Sequence, residues 1–108
     1  MDDELTQPSI ADLWQEHLDT PFPKGFRGRD LNGIDFVMLD ANIAGCVQTF
    51  VESGKLNMFQ TAMLGLSYRD PTFVLPTINK EGFAHFSRLE RLAELVLKKV
   101  ALKNETAA

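Results

Sequence analysis

Hydrophobic positions recur every three to four residues along most of the chain, the period that turns one face of an α-helix toward a core. Ile10, Leu13, Trp14, His17 and Leu18 form the first such series, with Ser9 placed as N-cap and Asp12 at the capping-box position. Pro21 and Pro23 stop this helix and begin the linker DTPFPKGFRGRDLNG, whose prolines and glycines oppose regular structure. Phe22 and Phe26 are expected to pin that loop to the core. The second helix is expected from Ile34 to Ser53, with Gly54 as its left-handed stop. Asn57 can cap a third, in which Phe59, Ala62, Met63 and Leu66 share a face. Asp70-Pro71 should interrupt or restart it, leaving residues 71 to 78 as a short helical piece disturbed by Pro76.

The last helix is expected from Glu81 to Leu102, where Phe83, Phe86, Leu89, Leu92, Ala93, Val96, Leu97 and Val100 form one stripe. No internal repeat is present, and no alternating apolar run is bounded by hairpin turns. The pattern therefore predicts an all-α protein, a compact bundle of four to five helices in a single domain over residues 9–102. Residues 1–8 read as a disordered lead and 103–108 as a frayed tail.

Composition narrows the functions open to such a bundle. The 108 residues are 44% hydrophobic and 24% charged, enough for one core. A formal net charge of -4 and a pI near 5.0 give no electrostatic reason to approach nucleic acid or an anionic membrane. No apolar run approaches the roughly 20 residues that cross a bilayer, and the acidic, polar MDDELTQPS is not a secretory signal. A lone cysteine, Cys46, forms no internal disulfide and points to a reducing cytoplasm. No cofactor is called for by any spacing in the chain.

One residue is out of place in this pattern. Wound as a helix, residues 34–53 put Asp40 between Val47 and Val51, inside an otherwise apolar arc. A buried carboxylate must meet a cation or several donors. Arg27, in the preceding loop, is the preferred partner, with Arg29 and Lys24 beside it; a guanidinium binds a carboxylate through two parallel hydrogen bonds. The stretch PKGFRGRD could also cradle an anion. It lacks the ending and strand context of a phosphate loop, so a structured connection is the favoured reading.

His17 lies on the apolar face of the first helix and His85 at the margin of the last helix's stripe. With Asp40 and Cys46 they form a possible constellation, and Tyr68, Arg69 and Arg88 are further polar candidates. Such residues could activate a thiolate or bind zinc. None falls into a local ligand spacing such as HExxH or CxxC, and the bland alternatives carry more weight: a structural ion pair at Asp40, a core cysteine, and packed histidines.

Met58, Leu64 and Tyr68 lie off the main apolar face of the third helix, and Leu95 off that of the last; together they could form an interface. The segments IDFVMLDANIAGCVQTF and AHFSRLERLAELVL resemble a group of small bacterial proteins that share LD-A-x-I-A-G-C and F-x-RL patterns. This chain has Phe86 where versions of that pattern carry tyrosine. The resemblance implies a helical fold in a bacterial cytoplasm and brings no activity with it. The expected function is a non-catalytic protein-interaction or regulatory module whose partner is a protein, first of all a second copy in a homodimer. The alternative is a small-molecule, anion or metal-binding protein, enzymatic or not, built around Asp40 and the basic loop at 24–29.

Overall fold

The computed structural model describes residues 9–23, 25–26, 28, 30–31, 34–74 and 80–107, without the side chains of 30, 31, 34, 69–74, 81 and 104–107. It contains four helices, α1 (Ile10–Asp19), α2 (Phe36–Ser53), α3 (Met58–Val74) and α4 (Lys80–Ala107). The chain is all-α, a single compact domain. The exception to helix is a minimal antiparallel ladder, β1 (Asp30–Leu31) against β2 (Ile34–Asp35), in which Asp30 faces Asp35 and Leu31 faces Ile34.

Local chemistry sets most helix ends. The Ser9 side chain accepts from the Asp12 amide at 3.0 Å, and Asp12 accepts from the Ser9 amide, a complete capping box. Asp35 caps α2 by accepting from Met38 N at 3.0 Å; because Ile34 and Asp35 serve the ladder, α2 begins at Phe36 and not at Ile34. Gly54 ends α2 at φ 78°, a left-handed conformation that needs a residue without Cβ. Asn57 accepts from the Gln60 amide at 2.7 Å while Gln60 accepts from the Asn57 amide, a second reciprocal cap ahead of α3.

α4 is the spine, packing against each of the other helices. Phe86, Leu89, Leu92, Ala93 and Val96 are fully buried and meet Ile43 and Val47 of α2, Leu64 of α3 and Leu13 of α1 in one core. The loop after α1 is held as expected: Phe26 lies edge-on to Phe36, with ring centroids 5.0 Å apart, and 6.2 Å from Phe86. It fits because α4 presents Gly82, where a Cβ would stand 2.5 Å from Phe26 Cζ.

Several expectations are corrected. α3 runs through Asp70-Pro71 without a break to Val74, since proline gives up one backbone donor and little helix remains beyond it; residues 75–78 of the expected helical piece lie outside the described residues. α4 continues to Ala107, well past Leu102. α3 also turns a different face inward. Leu64 is fully buried and Ser67 nearly so, while Phe59 and Leu66 are 73% and 63% exposed. Phe83 at the start of α4 is exposed as well. Packing against α2 and α4, not the most apolar arc of α3 alone, selects the buried face.

Candidate functional site

Three helices each bring one polar side chain to a single point near the end of the bundle where α1, α2 and α4 meet. His17 is on the face of α1 that carries Leu13 and Trp14, and the Trp14 indole stacks on its ring at 5.6 Å between centroids and 17° between planes. Asp40 lies in the second turn of α2, one turn after buried Phe36, and His85 in the second turn of α4, next to buried Phe86. His17 Nε2 lies 3.2 Å from Asp40 Oδ1, and His85 Nε2 lies 2.8 Å from Asp40 Oδ2. The three side chains are 9%, 15% and 4% exposed.

Burial alone would push the Asp40 carboxyl up. Hydrogen bonds from His17 and His85 and their positive charge together outweigh it and hold the group at about 2. Asp40 is therefore an acceptor only at neutral pH, and each histidine donates its Nε2–H. Arg88, one turn along α4, donates from Nη2 toward His85 Nδ1 at 3.4 Å and from Nη1 to Glu16 Oε2 at 3.3 Å. A guanidinium cannot accept, so Arg88 is the donor in the contact with His85. Two buried polar atoms have no partner among the described residues, His17 Nδ1 and Arg88 Nε.

An open cleft of about 410 Å³ borders this cluster. Thr20, Pro21, Phe22 and Pro23 of the post-α1 loop form one wall, and Ala84, His85 and Arg88 of α4 the other. The Phe22 ring stands edge-on to His85 at 5.3 Å between centroids.

The structure thus brings together Asp40, His17, His85 and Arg88, and among the described residues it places Cys46 and Tyr68 elsewhere. Cys46 is buried on the side of α2 facing α3, where its thiol donates to the Gln60 carbonyl at 3.7 Å, and burial pushes that thiol up. Tyr68 is partly buried, its hydroxyl pushed up first by burial and then by Glu94 and Glu90. Lys24, Arg27 and Arg29 lie outside the described residues, as does the Arg69 side chain, so the expected Arg27–Asp40 pair falls there too; each oxygen of Asp40 carries an imidazole partner. Of the expected interface residues Met58 is exposed, Leu64 is wholly in the core, and Tyr68 and Leu95 pack against it.

Sequence reasoning missed Glu16, Trp14 and Phe22 as parts of the site. The available signal was that both histidines occupy or border an apolar helix face; nothing in the spacing shows that both meet one aspartate.

The donor set could hold a metal ion. Among the described residues it is the group of three His, Cys, Asp or Glu side chains able to share an ion, its ligand atoms all within 4.8 Å of one another. A tetrahedral zinc ion with ligands at 2.0–2.1 Å spaces them about 3.3 Å apart, so closing on an ion takes shifts on the order of 1 Å. Comparison of the chain with protein-family models, curated proteins and solved structures finds no match.

Proposed function

We propose that this protein is a helical metal-binding module that holds one borderline transition-metal ion, with zinc as its reference case, between His17, Asp40 and His85. The observation that carries the reading is the convergence of two imidazole Nε2 atoms from separate helices on the two oxygens of one ionised carboxylate. Mixed nitrogen and carboxylate donors suit zinc and its first-row neighbours better than magnesium or calcium, which take oxygen shells. Asp40 needs no proton removed before it can ligate, and an ion held at each Nε2 would leave the ring's proton on Nδ1. Three protein donors leave a coordination position open, as in sites that bind or activate a ligand.

Isothermal titration of the full chain with zinc at neutral pH tests this. One ion per chain is expected, and His17→Gln and His85→Gln should each weaken binding by at least tenfold. Absence of saturable binding, or affinity that both variants leave unchanged, would remove the proposal.

Self-association is the second reading, supported by a different surface. Met58, Phe59, Ala62 and Leu66 are all exposed and fall within about 100° of one another around α3. This stripe replaces the surface of Met58, Leu64, Tyr68 and Leu95, because Leu64 is spent on the core.

A further inference from the structure

We infer that α3 pairs with α3 of a second copy in antiparallel fashion, across a two-fold axis at Ala62. The inference rests on the self-association reading and adds to it the crossing point and the direction of the pairing.

An interface about a two-fold axis brings one patch against itself, so residues at equal distances before and after its centre must suit each other. The outward stripe of α3 has this property about Ala62. Met58 stands four residues before it and Leu66 four after, along a single ridge of the helix. Both are large and apolar, and they are 88% and 63% exposed. Ala62 between them is small and exposed, so two backbones can approach closely where they cross. Antiparallel pairing sets Met58 of each copy against Leu66 of the other. Phe59 is matched on the far side of the centre by Gly65, where a Cβ would meet nothing within 4 Å, so the mirrored position leaves room for the ring.

Charge and area bear on the same pairing. Residues 56–68 carry no charge in a chain whose formal net charge is -4. Two acidic copies approach with least repulsion on a neutral surface, and the centres of interfaces are poor in charged residues. Lys55 and Arg69 lie seven residues to either side of Ala62, where helices crossed at about 50°, the angle set by ridges of this spacing, have parted. Antiparallel pairing also brings opposite ends of the two helix dipoles together, whereas parallel pairing aligns like ends. Met58, Phe59, Ala62 and Leu66 offer roughly 400–500 Å² a side, against about 800 Å² in a standard interface. The dimer is therefore a weak one that dilution separates.

Light scattering over a concentration series and disulfide trapping, both on the full chain, test this together. The mass should rise from monomer toward dimer with concentration. At the crossing the two Ala62 Cα atoms stand about 4–5 Å apart, within reach of a disulfide. Ala62→Cys should therefore cross-link under mild oxidation at least tenfold faster than Gln48→Cys, an exposed site on α2 that serves as the collision control. The native chain, whose one thiol is the buried Cys46, should not cross-link. Met58→Cys mixed with Leu66→Cys should form the mixed disulfide at least tenfold faster than either variant joins to itself. A chain that stays monomeric at every concentration overturns the self-association reading and this inference together. A dimer in which Ala62→Cys is no faster than the control, or in which Met58→Cys joins best to itself, overturns the inference alone.

Discussion

At the scale of single residues, Asp40 is where the physics concentrates. A carboxylate that is 15% exposed keeps its charge because two imidazoles donate to it. Asp40→Asn leaves one amide oxygen for two donors and should cost on the order of 1–3 kcal/mol of stability at neutral pH. The pH dependence has a definite sign. The carboxyl is held at about 2 in the fold against 3.8 ordinarily, so its contribution is complete above about pH 4 and is lost as pH falls toward 2. Denaturation midpoints of wild type and Asp40→Asn should therefore differ at pH 4 and converge as pH falls toward 2; a gap that persists at pH 2 would show that the carboxylate charge is not its source. That Asp40 needs a partner was legible, since a charge inside an apolar helical arc has few alternatives. The partner's identity was not, because His17 and His85 lie 23 and 45 residues away in sequence, and only tertiary packing decides which distant donors arrive.

At the scale of elements, helix ends with a local cap were readable, while ends without one and the buried faces were less so. Ser9 with Asp12, Asn57 and Gly54 act within one turn of themselves, so the sequence carries the whole interaction. The buried face of α3 depends on where α2 and α4 sit, and it takes Leu64 and Ser67 in preference to Phe59 and Leu66. Beyond the Phe22 ring against His85, the post-α1 loop is anchored near the site where Phe26 lies against the bare backbone of Gly82, three residues before His85. Gly82→Ala puts a methyl 2.5 Å from the ring's Cζ. Overpacking of this kind costs about 1–3 kcal/mol and outweighs the helix-propensity gain of at most about 1 kcal/mol. The variant should melt at a lower temperature than wild type; an equal or higher midpoint would mean that Phe26 relocates freely and does not anchor the loop.

For the whole molecule, the cluster is the polar tie among α1, α2 and α4. α1 otherwise holds to the bundle through Leu13 in the core, with Ile10 and Trp14 packed against it. Assembly is a separate question answered on a separate face. If the α3 stripe joins two copies, Phe59→Glu with Leu66→Lys should lower the mass measured by light scattering from dimer to monomer while leaving helical content and zinc binding intact. A wild-type monomer, or a dimer indifferent to both substitutions, would remove this face from the assembly. Periodicity put Phe59, Ala62 and Leu66 on one face but not its exposure, and it did not show the cleft, for the same reason: each is defined by which surfaces other helices leave uncovered.

The most direct test of the central claim is X-ray absorption at the zinc edge of the chain carrying one equivalent of zinc. The account predicts a first shell of nitrogen and oxygen scatterers at about 2.0–2.1 Å, with the outer-shell features of two imidazoles and no sulfur. A sulfur scatterer near 2.3 Å, which would bring in Cys46, or a shell without imidazole, would contradict it.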